Sequence, residues 1–264
     1  MEKLAMDDMK AIELEIMDEI DRVCRENGIN YMLGYGSCLG AVRHGGFIPW
    51  DDDMDVVMLR GDYERFAAVF EDAKEIERFK LVSYRDKSAP CAFFKVTDVT
   101  TWVEERYSDA KYGSGVWVDI FPLDEISLAR GGSQFKCCRM NGNLRYLAVT
   151  DTSTGSTGLI KFGKKLICPI LKKIGPYGYA RKMDECARSA EGSGSGRVTD
   201  FIGETDPRKV YDAAVFEPLE WDFEGHKFFI PKGYDEMLTI MYGDWRTPLP
   251  EADREAHTLS AYRL

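Results

Sequence analysis

The chain is predicted to be an α+β protein, a mixed β-sheet with flanking helices packed on it and a helical subdomain appended. Three observations predict this. Up to residue 126 short strand-like runs alternate with helical ones, the stretch from Ser127 to Lys182 is largely helical in texture, and the last part carries a strand pair and one short helix. A length of 264 residues holds one substantial core or two modest ones. A content of 44% hydrophobic and 30% charged residues is that of a globular chain and excludes a disordered one.

The elements follow in order. Residues 4 to 26 place Leu4, Ile12, Ile16, Ile20 and Val23 at mainly four-residue spacing, which is one face of a helix, and Asn27-Gly28 terminates it. Ile29 to Tyr35 reads as a strand closed by Gly34 and Gly36, after which Ser37 caps a short helix reaching about Arg43. His44 to Pro49 is a loop, Asp53 to Leu59 a second strand, and Asp62 caps a helix across Tyr63 to Asp72. Further strands are expected at Phe79 to Tyr84, Cys91 to Asp98, Thr101 to Tyr107 and Gly115 to Phe121. After Pro122 come the helical stretch, with a polar break at Asp151 to Gly158, and a GSGSG connector at Gly192 to Gly196. A strand pair around Phe223 to Ile230 and a helix from Tyr234 to Tyr242 complete the chain. Three units are expected: 1–126, a helical subdomain 127–191, and 192–264 completing the first.

Charge and cysteine usage exclude several classes. A net charge of -10 argues against a nucleic-acid binder, which needs clustered Lys and Arg on its surface. The exception is Leu159 to Lys182, with seven Lys or Arg and no acid. Its lysines alternate with Leu, Ile and Phe, which predicts peripheral contact of 159–182 with an anionic membrane or a lipid-linked acceptor. Seven cysteines without a C-x-x-C spacing read as buried free thiols in a reducing cytoplasm, and the adjacent Cys137 and Cys138 have no matching pair for a metal. The N-terminus lacks an unbroken apolar stretch, and no segment approaches the ~18 apolar residues of a membrane span. A cytoplasmic protein, peripheral at the inner face of the membrane, is the expectation.

The chemistry is concentrated in Gly36-Ser37 and Asp53-Met54-Asp55. Strand residues two apart share a face, so Asp53 and Asp55 project together while Met54 and Val56 enter the core. Two neighbouring carboxylates raise one another's pKa unless a cation neutralises them, and a hard, oxygen-preferring Mg²⁺ or Mn²⁺ suits them. A glycine-bounded turn into a helix N-terminus offers backbone N–H groups to a phosphate. Asp119 in VWVDIF, flanked by Val118 and Ile120, supplies a third carboxylate on a neighbouring strand. Asp51 and Asp52 read equally as a solvated turn.

The segment GYGSCLGAVRHGGFIPWDDDMDV resembles the signature of the LicD family, and VWVDIFPLDEI and FIPKGYDEMLTIMYGDWRTP support the resemblance. It implies a nucleotidyltransferase-like fold and a catalytic core in 1–126. The implied activity is transfer of phosphocholine or a related group from a CDP-linked donor such as CDP-choline to a sugar hydroxyl of a cell-surface glycan. The acceptor stays open between teichoic acid, lipopolysaccharide and capsule. The family's metal-binding acids fall on Asp53, Asp55 and Asp119, and its basic and aromatic cleft positions on Arg43, His44 and Trp50. Arg43 suits a phosphate, Trp50 a quaternary ammonium, and Lys95 in CAFFKVTD the diphosphate; each also has a reading as a surface or packing residue, as do Asp244 and Trp245. Two rival functions use the same scaffold: a nucleotidyltransferase consuming an NTP, and a glycan- or lipid-binding protein without catalysis.

Overall fold

A sheet of seven strands dominates the computed structural model, which describes residues 2–104, 110–150, 168–204, 206–251, 254 and 260–264. Its path runs β2 (Met32–Leu33), β3 (Asp55–Leu59), β7 (Trp117–Glu125), β5 (Phe94–Asp98) and β4 (Phe79–Val82). β8 (Arg197–Thr199) pairs with β7, and β9 (Tyr211–Asp212) with β8. β3 and β7 are parallel and the other pairs antiparallel, so the sheet is mixed and the fold is α+β.

Helices α1 (Met6–Asn27) and α3 (Arg60–Ala73) pack on one face of this sheet. The face is apolar because the strands alternate: Val56, Met58, Phe94, Val96, Val118 and Ile120 are all buried there. On α1 the predicted Ile12, Ile16, Ile20 and Val23 are buried, and Gly28 ends the helix at φ 60°, donating its N–H to the Cys24 and Arg25 carbonyls. Two smaller assemblies complete the sheet structure, a β10–β11 hairpin (Pro218–Phe223, His226–Pro231) and a three-stranded sheet of β1 (Glu2–Lys3), β12 (Ser260–Arg263) and β6 (Thr101–Glu104). Helix α2 (Tyr35–His44), α4 (Gly131–Val149), α5 (Pro176–Ala187) and α6 (Tyr234–Tyr242) account for the remaining long helices described.

Several boundaries differ from the sequence expectation, each for a tertiary reason. Ser37 is not a cap, because α2 already begins at Tyr35 and Gly34 precedes it. Helix α3 starts at Arg60, directly on the end of β3, and Asp62 lies within its first turn. Arg60 is held in a buried ion network with Asp124 and Asp184, which sequence spacing does not reveal. β7 continues through Pro122 to Glu125. β5 pairs with residues 117–120 and β8 with 124–125, so Pro122 falls between the two partners on that edge, where a missing N–H does least damage.

Cys137 and Cys186 are not free thiols. They are bonded to each other across α4 and α5, with Cα atoms 6.0 Å apart, because the two helices pack along one another. Cys24, Cys38, Cys91, Cys138 and Cys168 are free and buried. The polar break and residues 159–167 of the basic segment lie outside the described residues. In the part that is described, residues 168–174 are helical, with Leu171 buried and Ile170 and Ile174 exposed. Among the described residues no helix is long and apolar enough to cross a membrane.

Candidate active site

The turn from β2 into α2 builds the site by fixing one strand residue. The Gly34 N–H donates to the Asp55 carbonyl at 2.8 Å, and the Asp55 N–H donates to Ser37 Oγ at 2.8 Å. Ser37, 4% exposed, therefore holds the first residue of β3 in place. Gly36 marks a close approach: a Cβ there would stand 2.6 Å from Asp51 Oδ2 and displace that carboxylate. The Asp51 carboxylate thus lies against the first turn of α2, where a negative charge is favoured by the free backbone N–H groups.

Strand register does the rest. Asp55 on β3 is the partner of Asp119 on β7, and Asp119 is the partner of Lys95 on β5. Three charged side chains therefore stand in one row across three strands, on the face opposite α1 and α3, at the ~4.8 Å spacing of adjacent strands. Lys95 Nζ lies 3.3 Å from Asp119 Oδ1 and 3.8 Å from the Trp117 ring centroid. The Asp119 N–H donates to the Met54 carbonyl at 3.1 Å, extending the pairing toward Asp53.

Electrostatics shows how closely the acids are gathered. Burial pushes the Asp55 carboxyl well above its ordinary value, and Asp53, Asp119 and Asp51 push it further, with Lys95 opposing. Burial and then Asp55, Asp51 and Asp53 raise the Tyr242 hydroxyl. Behind the site, burial and then Asp53, Asp52 and Asp55 raise Glu13 of α1 well above the carboxylate range. Asp52 is buried, 2% exposed, and Asp51 belongs to the acidic group, so neither is a solvated turn residue.

A divalent cation fits this donor set, which is all carboxylate oxygen and carries an excess of negative charge around Asp55. Among the described residues no three His, Cys, Asp or Glu side chains close a ligand shell by themselves. Mg²⁺ does not need one, since it is commonly held by one or two carboxylates together with substrate phosphates.

The remaining expected site residues form a second group at the other end of α2. Arg43 donates from Nη1 to the Trp245 carbonyl at 2.8 Å and from Nε to His44 Nε2 at 3.0 Å. Burial lowers the pKa of both, with Arg43 adding to the effect on His44. Trp50 meets His44 edge-on at 6.3 Å and carries the Arg254 guanidinium 4.3 Å from its ring centroid. Along the helix, Arg43 lies ~10 Å from Gly36. Tyr242 links the groups, because it feels the three acids while Arg43 feels Tyr242. Asp244 is exposed and accepts from Thr247, whereas Trp245 is buried.

Sequence reasoning missed Tyr35 as a site residue, although the flanking Gly34 and Gly36 mark a special backbone position. Tyr35 adopts φ 42°, unusual for a residue with a side chain. Its ring packs edge-on against Phe121 at 5.3 Å, and its hydroxyl donates to Asp200 Oδ2. Asp200 Oδ1 accepts the N–H groups of Ile202 at 2.7 Å and Gly203 at 2.9 Å. Burial nevertheless pushes the Asp200 carboxyl up to about 6, with Tyr35 and the two N–H groups opposing.

That value carries a pH prediction. An acid whose folded pKa is raised favours folding most below its unfolded value, and the contribution is lost as pH climbs through the folded one. Between pH ~4 and ~6 Asp200 therefore costs on the order of 3 kcal/mol, at ~1.4 kcal/mol per pH unit. In Asp200→Asn the side-chain oxygen keeps both N–H bonds and the amide donates to the Tyr35 hydroxyl. The variant is expected to show a flatter melting-temperature profile from pH 4 to 7 than the parent. Parallel profiles for the two proteins would remove Asp200 as a titrating group in that range.

Comparison with known proteins yields matches of two kinds. The family described as LicD/FKTN/FKRP, nucleotidyltransferase domain, matches residues 28–137. Over 291 aligned residues the chain is 28% identical to the lipopolysaccharide cholinephosphotransferase LicD of Haemophilus influenzae, covering 100% of each chain. Over 79 residues it is 35% identical to an uncharacterised protein of Rickettsia typhi, covering 30% of this chain and 24% of that one.

Proposed function

We infer the reaction from two premises: the chain belongs to the LicD family, and Asp55, Asp119 and Lys95 stand in one row across three strands. The protein transfers phosphocholine from CDP-choline to a hydroxyl of a cell-surface glycan or lipid-linked glycan and releases CMP. The similarity over the full length of a lipopolysaccharide cholinephosphotransferase supports the transferred group. The row of charges is the observation that carries the site.

The acceptor oxygen attacks the choline-bearing phosphorus in line with the bond to CMP. A new phosphorus–oxygen bond forms, the bond to the bridging oxygen breaks, and CMP departs with that electron pair. The acceptor proton passes to Asp119, whose carboxylate Lys95 orients at 3.3 Å. Gly34 and Ser37 hold the Asp55 backbone from both sides, so the residue's place at the head of β3 is set before substrate arrives. Trp50, whose ring already accommodates the Arg254 guanidinium, offers a face to the quaternary ammonium. Arg43 and His44 are placed beside that ring. Asp53, Asp55 and Asp119 would hold a Mg²⁺ or Mn²⁺ ion, which would supply charge neutralisation for the diphosphate and for departing CMP.

The test is chromatography of nucleotide products. CDP-choline, Mg²⁺ and a surface glycan are expected to give CMP, and omission of the cation or the glycan to suppress it. Consumption of CTP with release of pyrophosphate, CDP-choline remaining intact with every acceptor, would replace this reading with that of a nucleotidyltransferase.

A further inference from the structure

Beyond Lys95 the sheet face continues into a cavity of about 170 Å³. One wall is the approach to β5, from Ala89 through Cys91 and Phe93 to Lys95; another is Tyr112 and Ser114; the third is α4, through Arg145 and Val149. The space is several times the ~30 Å³ that one water occupies in the liquid. Two cations enter it from different elements, Lys95 from the sheet and Arg145 from the helical subdomain, and no carboxylate is among its described lining residues.

Arg145 is anchored there. Its Nη1 donates to the Pro90 carbonyl at 3.1 Å, which sets the guanidinium against the loop leading into β5. The Cys91 thiol feels Lys95, Arg145 and Asp119 together, so these groups are near neighbours, and burial pushes it up to about 11. At neutral pH the thiol therefore adds no negative charge to the wall. Tyr112 adds a neutral hydroxyl, while the Ser114 hydroxyl donates to the Gly115 carbonyl at 3.2 Å. A planar fork and a point ammonium facing one space match the oxygens of a phosphate or diphosphate.

We propose that this cavity holds the diphosphate of the nucleotide donor, with Arg145 as its second cationic ligand and Lys95 shared between the bound phosphate and Asp119. The proposal rests on the transferase reading above and deepens it. It assigns α4 a part in donor binding: the helix that follows β7 supplies a wall and a guanidinium that the sheet lacks. Donor phosphate and the acid row then meet at a single ammonium, Lys95, 3.3 Å from Asp119.

Calorimetry of inorganic pyrophosphate and of CDP-choline, without divalent cation, tests the cavity in the parent, Arg145→Gln and Arg145→Lys. Both ligands are expected to bind the parent. Arg145→Gln should weaken each by roughly 10- to 100-fold, the scale of one charged hydrogen-bonding partner, and Arg145→Lys by less. The KM for CDP-choline should rise by a similar factor while kcat changes only a few-fold. Melting temperatures of the unliganded variants separate lost binding from lost fold, and Arg145→Lys, which keeps the charge, carries the test if Arg145→Gln does not fold. Pyrophosphate binding that is absent from the parent, or equal in parent and Arg145→Gln, would overturn the cavity and leave the transferase reading standing. Arg145-dependent pyrophosphate binding in a protein that never turns over CDP-choline would support the cavity and remove the transferase reading.

Discussion

Replacing Asp55 with asparagine is expected to lower turnover by about 10³-fold or more while raising the melting temperature of the metal-free protein at alkaline pH. The first effect follows from position. Asp55 is the register partner of Asp119, and its backbone is fixed by Gly34 and Ser37, so asparagine occupies the same place without its charge. Loss of one preorganised charged group in a buried site commonly costs 10² to 10³ in rate, and here cation binding is weakened as well.

The second effect has a definite sign. Asp55 is held well above the ordinary carboxylate value by burial and by Asp53, Asp119 and Asp51. Its contribution favours the folded state at low pH and turns unfavourable as pH rises through the raised value. The stability gained in Asp55→Asn should therefore be largest near pH 8 and vanish below the usual aspartate range. Adding Mg²⁺ should raise the melting temperature of the parent and leave the variant nearly unmoved. Turnover within tenfold of the parent would remove Asp55 from the site, and a lower melting temperature at pH 8 would remove the repulsion argument.

The largest stability loss is expected at Arg60, away from the row of charges. Arg60 is 6% exposed and reaches both oxygens of Asp124, at 2.7 and 2.6 Å, and Asp184 at 2.9 Å. Tyr84 donates to the second Asp184 oxygen at 2.7 Å. This network joins α3, the end of β7 and α5, tying that helix to the sheet. Burial still holds the Asp124 carboxyl above its ordinary value despite Arg60, so the charge depends on that guanidinium. Arg60→Met strands the buried Asp124 carboxylate and leaves Asp184 with Tyr84 and Arg85, at a cost of about 3–5 kcal/mol. For a chain of this size that lowers the melting temperature by roughly 10 °C or more. The double variant Arg60→Met/Asp124→Leu should recover part of the loss, because burying apolar groups in place of an ion pair is often neutral. A melting temperature for Arg60→Met within about 2 °C of the parent would show that solvent reaches the network.

The sequence by itself determined which residues face which way. Period-two alternation in DMDVVML, CAFFKVTD and VWVDIF placed Asp55, Lys95 and Asp119 opposite the buried Val56, Val96 and Val118, and a sharp local signal bounded α6 at Tyr234 and Tyr242. These signals are local, since a strand or helix period shows within a few residues. Only the tertiary structure decided which strands are neighbours, and hence that Lys95, Asp119 and Asp55 lie in one row. It also decided contacts whose partners are distant in the chain. Tyr35 meets Asp200, Arg60 starts α3 on Asp124 and Asp184, Cys137 bonds Cys186, and Arg145 crosses from α4 to Pro90. The burial of Asp52 belongs with these, because an acidic run reads as solvated until other elements close over it. Alternation states a side chain's direction; register and packing state what it meets, and those depend on pairing energies summed over the whole chain.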